Sequence, residues 1–280
     1  MKHSSKEPVR THTDNTHTIL SVQDCISDLK DWMTDYKLQL NEDKTEGLLF
    51  NSSKLHDPPT SLSICQTTVT FSESVRNLSF YINKGLSMKE HVDFICKTAF
   101  FELCCLSTMQ HYLSVDPTKT LVVLLVRSRI DDCNFLLAGL PLSLISKLQR
   151  IQNCAAHLVV HASSSVHITS ILKQLHWLPI KTRISYKIAC LCFNAINYST
   201  PAYLSDLLHL YSPSRSLRSS ADTCLLKLPP YKCKTKGDRA FSYSGPSVWN
   251  SLPLHIRNDM TLDTFKSALK NHLFNVQDFD

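Results

Sequence analysis

Apolar positions recur most regularly between Pro141 and Asn197. Leu144, Leu148, Ile151, Ala155 and Leu158 fall three or four residues apart, and after a break Ile180, Ile184, Ile188, Leu191 and Ala195 repeat the spacing, which predicts two amphipathic helices. Ser143 after Pro141 is the expected N-cap of the first, and Pro179 stands where the second begins without losing an interior hydrogen bond. His167 to Leu175 reads as a short helix between them. The corner Leu175-His176-Trp177-Leu178-Pro179 then places a Trp between two apolar faces, where it buries about 150–250 Å². This is the chemistry of packing.

Upstream the pattern is mixed. A polar leader runs through His17, and Ser21 with Asp24 is expected to cap a helix whose face is Val22, Ile26, Leu29, Trp32 or Met33, and Tyr36. Leu38-Gln39-Leu40, Leu48 to Phe50, Leu62/Ile64, Val69/Phe71 and Val75/Leu78/Phe80 are short alternating or apolar runs between turn residues, and predict strands. From Lys89 the period becomes helical, with Val92, Ile95, Cys96, Ala99 and Leu103 on one face. Asp116-Pro117 is expected to open a further helix that turns Leu121, Leu124, Leu125 and Ser128 inward and ends at a solvent-facing Asp131-Asp132. Pro201 opens a short helix through Leu208. Trp249 to Pro253 reads as an apolar turn, and Leu262, Phe265, Leu269 and Leu273 form a closing helix. The expected class is α+β: a small antiparallel sheet with one helix over residues 1–87, a mainly helical bundle over 88–210, and an irregular basic arm with a C-terminal helix over 211–280.

Composition sharpens this picture. Hydrophobic residues make up 43% and charged residues 19% of the chain, a globular balance, while the presence of only 5 Gly favours helix over glycine-rich phosphate loops. Eleven Cys, an odd number, are scattered through apolar patterns with no C-x-x-C pair, and Met1 to Arg10 is polar and unlike a secretory signal. They are expected to be reduced, mostly buried thiols of an intracellular protein of the cytoplasm or nucleus, not a secreted one. His157, His161 and His167 lack acidic or Cys partners at ligand spacing, so no metal site is expected. The longest apolar run, Leu121 to Val126, is far too short to span a membrane.

The formal charge of +6 permits an acidic partner. Between Tyr211 and Ala240 the chain carries Arg215, Arg218, Lys227, Lys232, Lys234, Lys236 and Arg239 against only Asp222 and Asp238, interleaved with Tyr211 and Tyr231. Such a surface suits a phosphate backbone, with rings that stack on bases, and the bland reading is a solvated arm. The partner expected is RNA or DNA, bound weakly and without sequence preference.

Several stretches also resemble, in order, the reverse transcriptase of non-LTR retrotransposons. They are Leu38-Gln39-Leu40-Asn41-Glu42-Asp43-Lys44-Thr45-Glu46; Ser128-Arg129-Ile130-Asp131-Asp132-Cys133-Asn134 with Ala138-Gly139-Leu140-Pro141; Leu148-Gln149-Arg150-Ile151-Gln152-Asn153-Cys154-Ala155-Ala156; Leu175-His176-Trp177-Leu178-Pro179-Ile180; Pro213-Ser214-Arg215-Ser216-Leu217-Arg218-Ser219; and Lys236-Gly237-Asp238-Arg239-Ala240-Phe241-Ser242 with Trp249-Asn250-Ser251-Leu252-Pro253. The resemblance implies a partial palm in residues 1–87 and a thumb-like bundle after it, without fingers or most of the palm.

It also implies where catalysis would sit. The family's polymerase signature, an aromatic residue followed by Ala, Asp and Asp on a hairpin, falls on His12-Thr13-Asp14-Asn15. Nucleotide transfer uses two Mg²⁺ ions about 3.5–4 Å apart, held by clustered carboxylates. Asn15 supplies a neutral amide in place of the second carboxylate, and the other palm Asp belongs to a strand that lies outside this chain. The expectation is therefore a truncated, catalytically inactive remnant with no catalytic residues, no metal site and no cofactor. A non-specific nucleic-acid-binding module and a helical protein-interaction domain are the alternatives. Pro230 stands where the family often has Arg, which removes one phosphate contact.

Overall fold

The computed structural model describes residues 12–41, 44–50, 59–64, 67–163, 165–212, 224–230, 236–258 and 260–276. The fold is mixed α+β and mainly helical, with two small two-stranded antiparallel sheets among the described residues. It divides into two compact units, Met1–Leu86 and Ser87–Asp280.

In the first unit, helix α1 spans His12–Asp35. It begins well before the expected cap, and Ser21 lies inside it, its hydroxyl donating back to the His17 carbonyl at 2.9 Å. The buried face differs too: Ile19 and Ile26 pack with Leu40 and Phe71 against a core of Leu62, Ile64 and Val69. Val22, Leu29, Trp32 and Tyr36, expected inside, are exposed. Strands β1 (Ser61–Ile64) and β2 (Thr67–Thr70) pair in a hairpin that directs Leu62, Ile64 and Val69 to one face. Val75, Leu78 and Phe80 do not share a strand. β3 (Ser74–Asn77) and β4 (Phe80–Asn83) form a second hairpin. Leu78 sits at its tip with φ 55° and is 89% exposed. Leu38–Leu40 and Leu48–Phe50 are not strands; Gly47 alone bridges to Phe71.

The second unit opens with α2 (Lys89–Met109), which buries Val92, Ile95, Ala99 and Leu103 of the expected face together with His91 and Leu106, while Cys96, expected on that face, is half-buried. The next helix, α3 (Val115–Val122), starts after Ser114, so Asp116 and Pro117 lie in its first turn rather than at its cap. It continues into a wide π turn over Val123–Arg127 and a last turn, α4 (Ser128–Asp131). The Ser128 N–H donates to the Val123 carbonyl five residues back. The buried positions consequently recur every four residues, at Thr118, Val122, Val126 and Ile130. Leu124, expected inside, is 62% exposed. The face is already set by Thr118 and Val122 ahead of the wide turn, and Leu124 lies about 200° round the helix from Val122.

Helices α5 (Leu142–Val160), α6 (Ile168–Gln174) and α7 (Ile180–Tyr198) form the predicted three-helix unit. Pro141, not Ser143, precedes α5. Two α5 glutamines hold the corner before α7: Gln152 donates to the Leu178 carbonyl at 2.9 Å, and Gln149 accepts the Ile180 N–H at 2.9 Å. That satisfies two backbone groups a buried turn would otherwise strand. A short α8 (Ala202–Ser205) follows.

The C-terminal residues are not a region apart. Helix α9 (Phe241–Asn250) includes Trp249-Asn250, expected as a turn, and α10 (Leu254–Arg257) and α11 (Leu262–Val276) follow it. Phe193 of α7 stacks on Phe265 of α11 with centroids 4.3 Å apart, and Trp249 lies 5.9 Å from the same ring. A Cβ added to Gly245 of α9 would stand 3.1 Å from the Cys192 sulfur of α7, so the missing side chain is what lets the helices approach.

Candidate functional site

The polymerase-like stretch His12-Thr13-Asp14-Asn15 lies in the first turn of α1. A helical backbone runs through residues expected to belong to a polar leader. No group of three or more His, Cys, Asp or Glu is placed to hold a metal among the described residues.

Of the seven basic-arm residues, Arg215, Arg218, Lys232 and Lys234 lie outside the described residues. Lys227 is exposed, and its N–H donates to the His209 carbonyl at 2.8 Å. With the Tyr211 N–H on the Leu225 carbonyl, at 2.8 Å, this forms an antiparallel bridge around Leu210 and Leu226. The Trp249-Asn250 pair clamps the same strand: the Asn250 amide exchanges two hydrogen bonds with the Leu226 backbone, at 2.9 and 2.8 Å, and the Trp249 indole N–H reaches the Cys224 carbonyl at 2.8 Å. Lys236 is exposed. Arg239 is not a free surface cation. Its stem lies against Gly139, whose φ is 66° and where a Cβ would stand 2.7 Å from the arginine's Cγ, and burial lowers the pKa of its guanidinium. The structure therefore separates Arg239 from the solvated lysines with which the sequence grouped it.

A different concentration of positive charge lies around the Trp177 corner. Here α6 ends in a Schellman motif: His176 adopts φ 53°, its N–H reaches the Lys173 carbonyl at 3.1 Å, and the Trp177 N–H reaches the Leu172 carbonyl at 2.9 Å. The motif turns Trp177 into the core, where it is 2% exposed. A cavity of about 600 Å³ opens beside it, between the π turn, the corner and the first turns of α7.

Two arginines line this cavity. Arg127, at the end of the π turn, places its guanidinium carbon 4.6 Å from the centroid of the Trp177 ring. Arg183 of α7 is only 7% exposed and pairs with Asp131 through Nη2. Asp131 also accepts a hydrogen bond from the Asn134 amide at 3.2 Å. It is thus not the free, solvent-facing acid expected from the sequence. Neither the Nη1 atom of Arg183 nor the Nε atom of Arg127, both buried, has a hydrogen-bond partner among the described residues. Burial first, and the charge of Arg127 second, pull the Arg183 pKa down to about 9; burial lowers that of Arg127 as well. Both remain charged at neutral pH.

Lys119, Lys187 and Lys270 add cations at the wall, from α3, α7 and α11. Tyr186 contributes a hydroxyl whose pKa is pushed up to about 12, by burial first and the Cys190 thiol second, and which stays protonated. Asp131 is the one carboxylate in this lining among the described residues. Sequence reasoning passed over the cavity, but one signal was present. Arg183 falls on the apolar stripe of α7 with Ile180, Ile184 and Ile188, where a charge is out of place unless something answers it.

The other candidates take ordinary places. His161 and His167 are exposed and stand at the end of α5 and the start of α6. Among the described cysteines, all free thiols, only Cys190 and Cys192 are buried; Cys25, Cys104, Cys105, Cys154 and Cys224 are exposed, because their helices and turns face them outward. No described helix is long and apolar enough to cross a membrane. Comparison with protein-family models, with curated proteins and with solved structures found no match to this chain.

Proposed function

We propose that these 280 residues are a reverse-transcriptase-like remnant of a non-LTR retroelement, without polymerase activity of their own, that retains weak, non-specific binding of RNA or DNA. The family reading rests on six quoted stretches in one order, from Leu38 to Pro253. In that alignment residues 1–87 correspond to the end of a palm and the following helices to a thumb. Inactivity is carried by one observation, the amide of Asn15 where a metal-binding carboxylate would stand. An amide adds no negative charge to a site that must hold two divalent ions. The proposed binding segment is the basic stretch that carries Lys227, Lys232, Lys234 and Lys236 in sequence.

Two measurements test this. Purified protein shows no primer extension above background with Mg²⁺ or Mn²⁺, and Asn15→Asp does not restore it, since the third carboxylate of such a site is not among these residues. Template-directed extension that vanished on Asp14→Ala would overturn the assignment. Fluorescence anisotropy with labelled RNA and DNA shows binding that weakens steeply with salt, with a log–log slope of roughly −2 to −4 on single strands. Lys232→Ala, Lys234→Ala and Lys236→Ala together flatten that slope by about 2. Absence of binding at low salt, or a slope the triple variant leaves unchanged, removes the arm as the nucleic-acid surface.

A further inference from the structure

The cavity beside Trp177 holds an electrostatic arrangement that the protein's own groups leave incomplete. Arg127 and Arg183 both face it, and each guanidinium disfavours the other's charge. Asp131 answers Arg183 on one side only and is shared with Asn134. A buried donor without an acceptor forfeits a hydrogen bond it makes in the unfolded chain, so Nη1 of Arg183 and Nε of Arg127 are two unmet costs in one place. An oxyanion with several lone pairs would meet both.

The form of the site also selects among anions. Contact with the Trp177 ring holds the Arg127 guanidinium at the cavity, and a planar fork of N–H groups suits the tetrahedral oxygens of a phosphate. Five cationic side chains line the cavity against one carboxylate among the described residues, a balance suited to a ligand bearing more than one negative charge. At about 600 Å³ the space exceeds one phosphate group and accommodates the sugar or base attached to it.

We propose that this cavity is a phosphate-binding site, with Arg183 and Arg127 as the groups that grip the phosphate and Lys119, Lys187 and Lys270 as the field that draws it in. The site is distinct from the basic arm and does not depend on the retroelement reading.

The test uses the full chain and isothermal titration with inorganic phosphate, pyrophosphate, AMP and adenosine, at ionic strength held constant with sodium chloride. Saturable binding of the three phosphate-bearing probes, and none of adenosine, is the expected result. Arg127→Gln weakens it about tenfold, roughly the loss of one charge-assisted hydrogen bond. Arg183→Met is the stronger lesion. Since its burial beside Asp131 makes misfolding of that variant a real outcome, Arg127→Gln and Lys187→Gln, checked for an unchanged circular dichroism spectrum, carry the test. The arm variant Lys232→Ala/Lys234→Ala/Lys236→Ala retains full phosphate affinity even where its RNA binding falls, which separates the two proposals. A 5′-phosphorylated oligonucleotide is then compared with its 5′-hydroxyl counterpart: a preference for the former identifies a strand end as the source of the phosphate, and equal binding alongside tight AMP binding identifies a free nucleotide. No saturable phosphate binding, or binding that Arg127→Gln and Lys187→Gln both leave unchanged, overturns the proposal.

Discussion

At the residue scale, the buried histidine of α2 makes the fold sensitive to acid. His91 is 3% exposed, and its pKa is lowered from the ordinary value near 6.5 to about 4, by burial first, with the nearby Asp132 charge opposing. Between those values the unfolded chain binds a proton that the folded chain refuses. The stability from keeping His91 neutral is therefore complete above about pH 6.5 and is lost progressively as the pH falls toward 4. Thermal denaturation from pH 7 to pH 5 should show a falling midpoint, and His91→Gln should make that fall shallower; parallel curves for the two proteins would count against it. His91 was invisible as a core residue in the sequence because a single His beside Val92 reads as readily as surface. Trp177 was legible, since an aromatic at a corner between two apolar stripes has few places to go.

At the element scale, three of the described α-helices, α1, α5 and α6, end without glycine. Lys37, His161 and His176 occupy the left-handed position of Schellman motifs at φ 59°, 53° and 53°, with the paired backbone hydrogen bonds of each motif in place. Side chains there are strained by about 1–3 kcal/mol, and glycine, though it costs entropy, removes the clash. His161→Gly, at an exposed position, should stabilise the protein by about 0.5–1 kcal/mol, seen as a rise of a few degrees in the thermal midpoint. A lowered midpoint would mean that the imidazole does more than stand at the helix end. The scarcity of glycine was correctly read as favouring helix, but it concealed these turns. Periodicity located α2, α5, α6 and α7 because each keeps one stripe over several turns. It failed on α1, where apolar residues on two faces compete and only one meets the β1–β2 hairpin, and on α9, whose last residues Trp249 and Asn250 were read as the start of a turn.

At the scale of the whole molecule, the helical unit is closed by its last helices. From the sequence, a piece from Met88 to Leu210 looks self-sufficient. In the structure such a piece would leave Phe193 and Cys192 of α7 without Phe265, Trp249 and the close approach at Gly245. Loss of one large core aromatic costs about 3–5 kcal/mol, against a typical total stability of about 5–15 kcal/mol. A fragment Ser87–Asp280 should therefore melt cooperatively in calorimetry, whereas one ending at Leu210 should show no cooperative transition. A sharp transition in the shorter fragment would show that the C-terminal helices merely rest on a finished core. The candidate cavity escaped the sequence for a related reason: its two arginines lie 56 positions apart and meet only once α7 has folded beneath the corner.

The π turn over Val123–Arg127 gives that meeting an unusual genetic tolerance. Each residue of an α-helix advances the chain by about 100°, and a wide turn that takes up one extra residue spares everything after it that rotation. Excising a single exposed codon there, such as that of Leu124, would let the spiral close into a regular helix with its length nearly unchanged. Arg127 would keep nearly its present direction toward Trp177, because about four residues of α-helix sweep the same rotation as the five of the wide turn. A lineage could lose that residue in one in-frame deletion and keep the cavity, and the wide turn is itself the form a one-residue insertion takes when the helix on either side must hold its place.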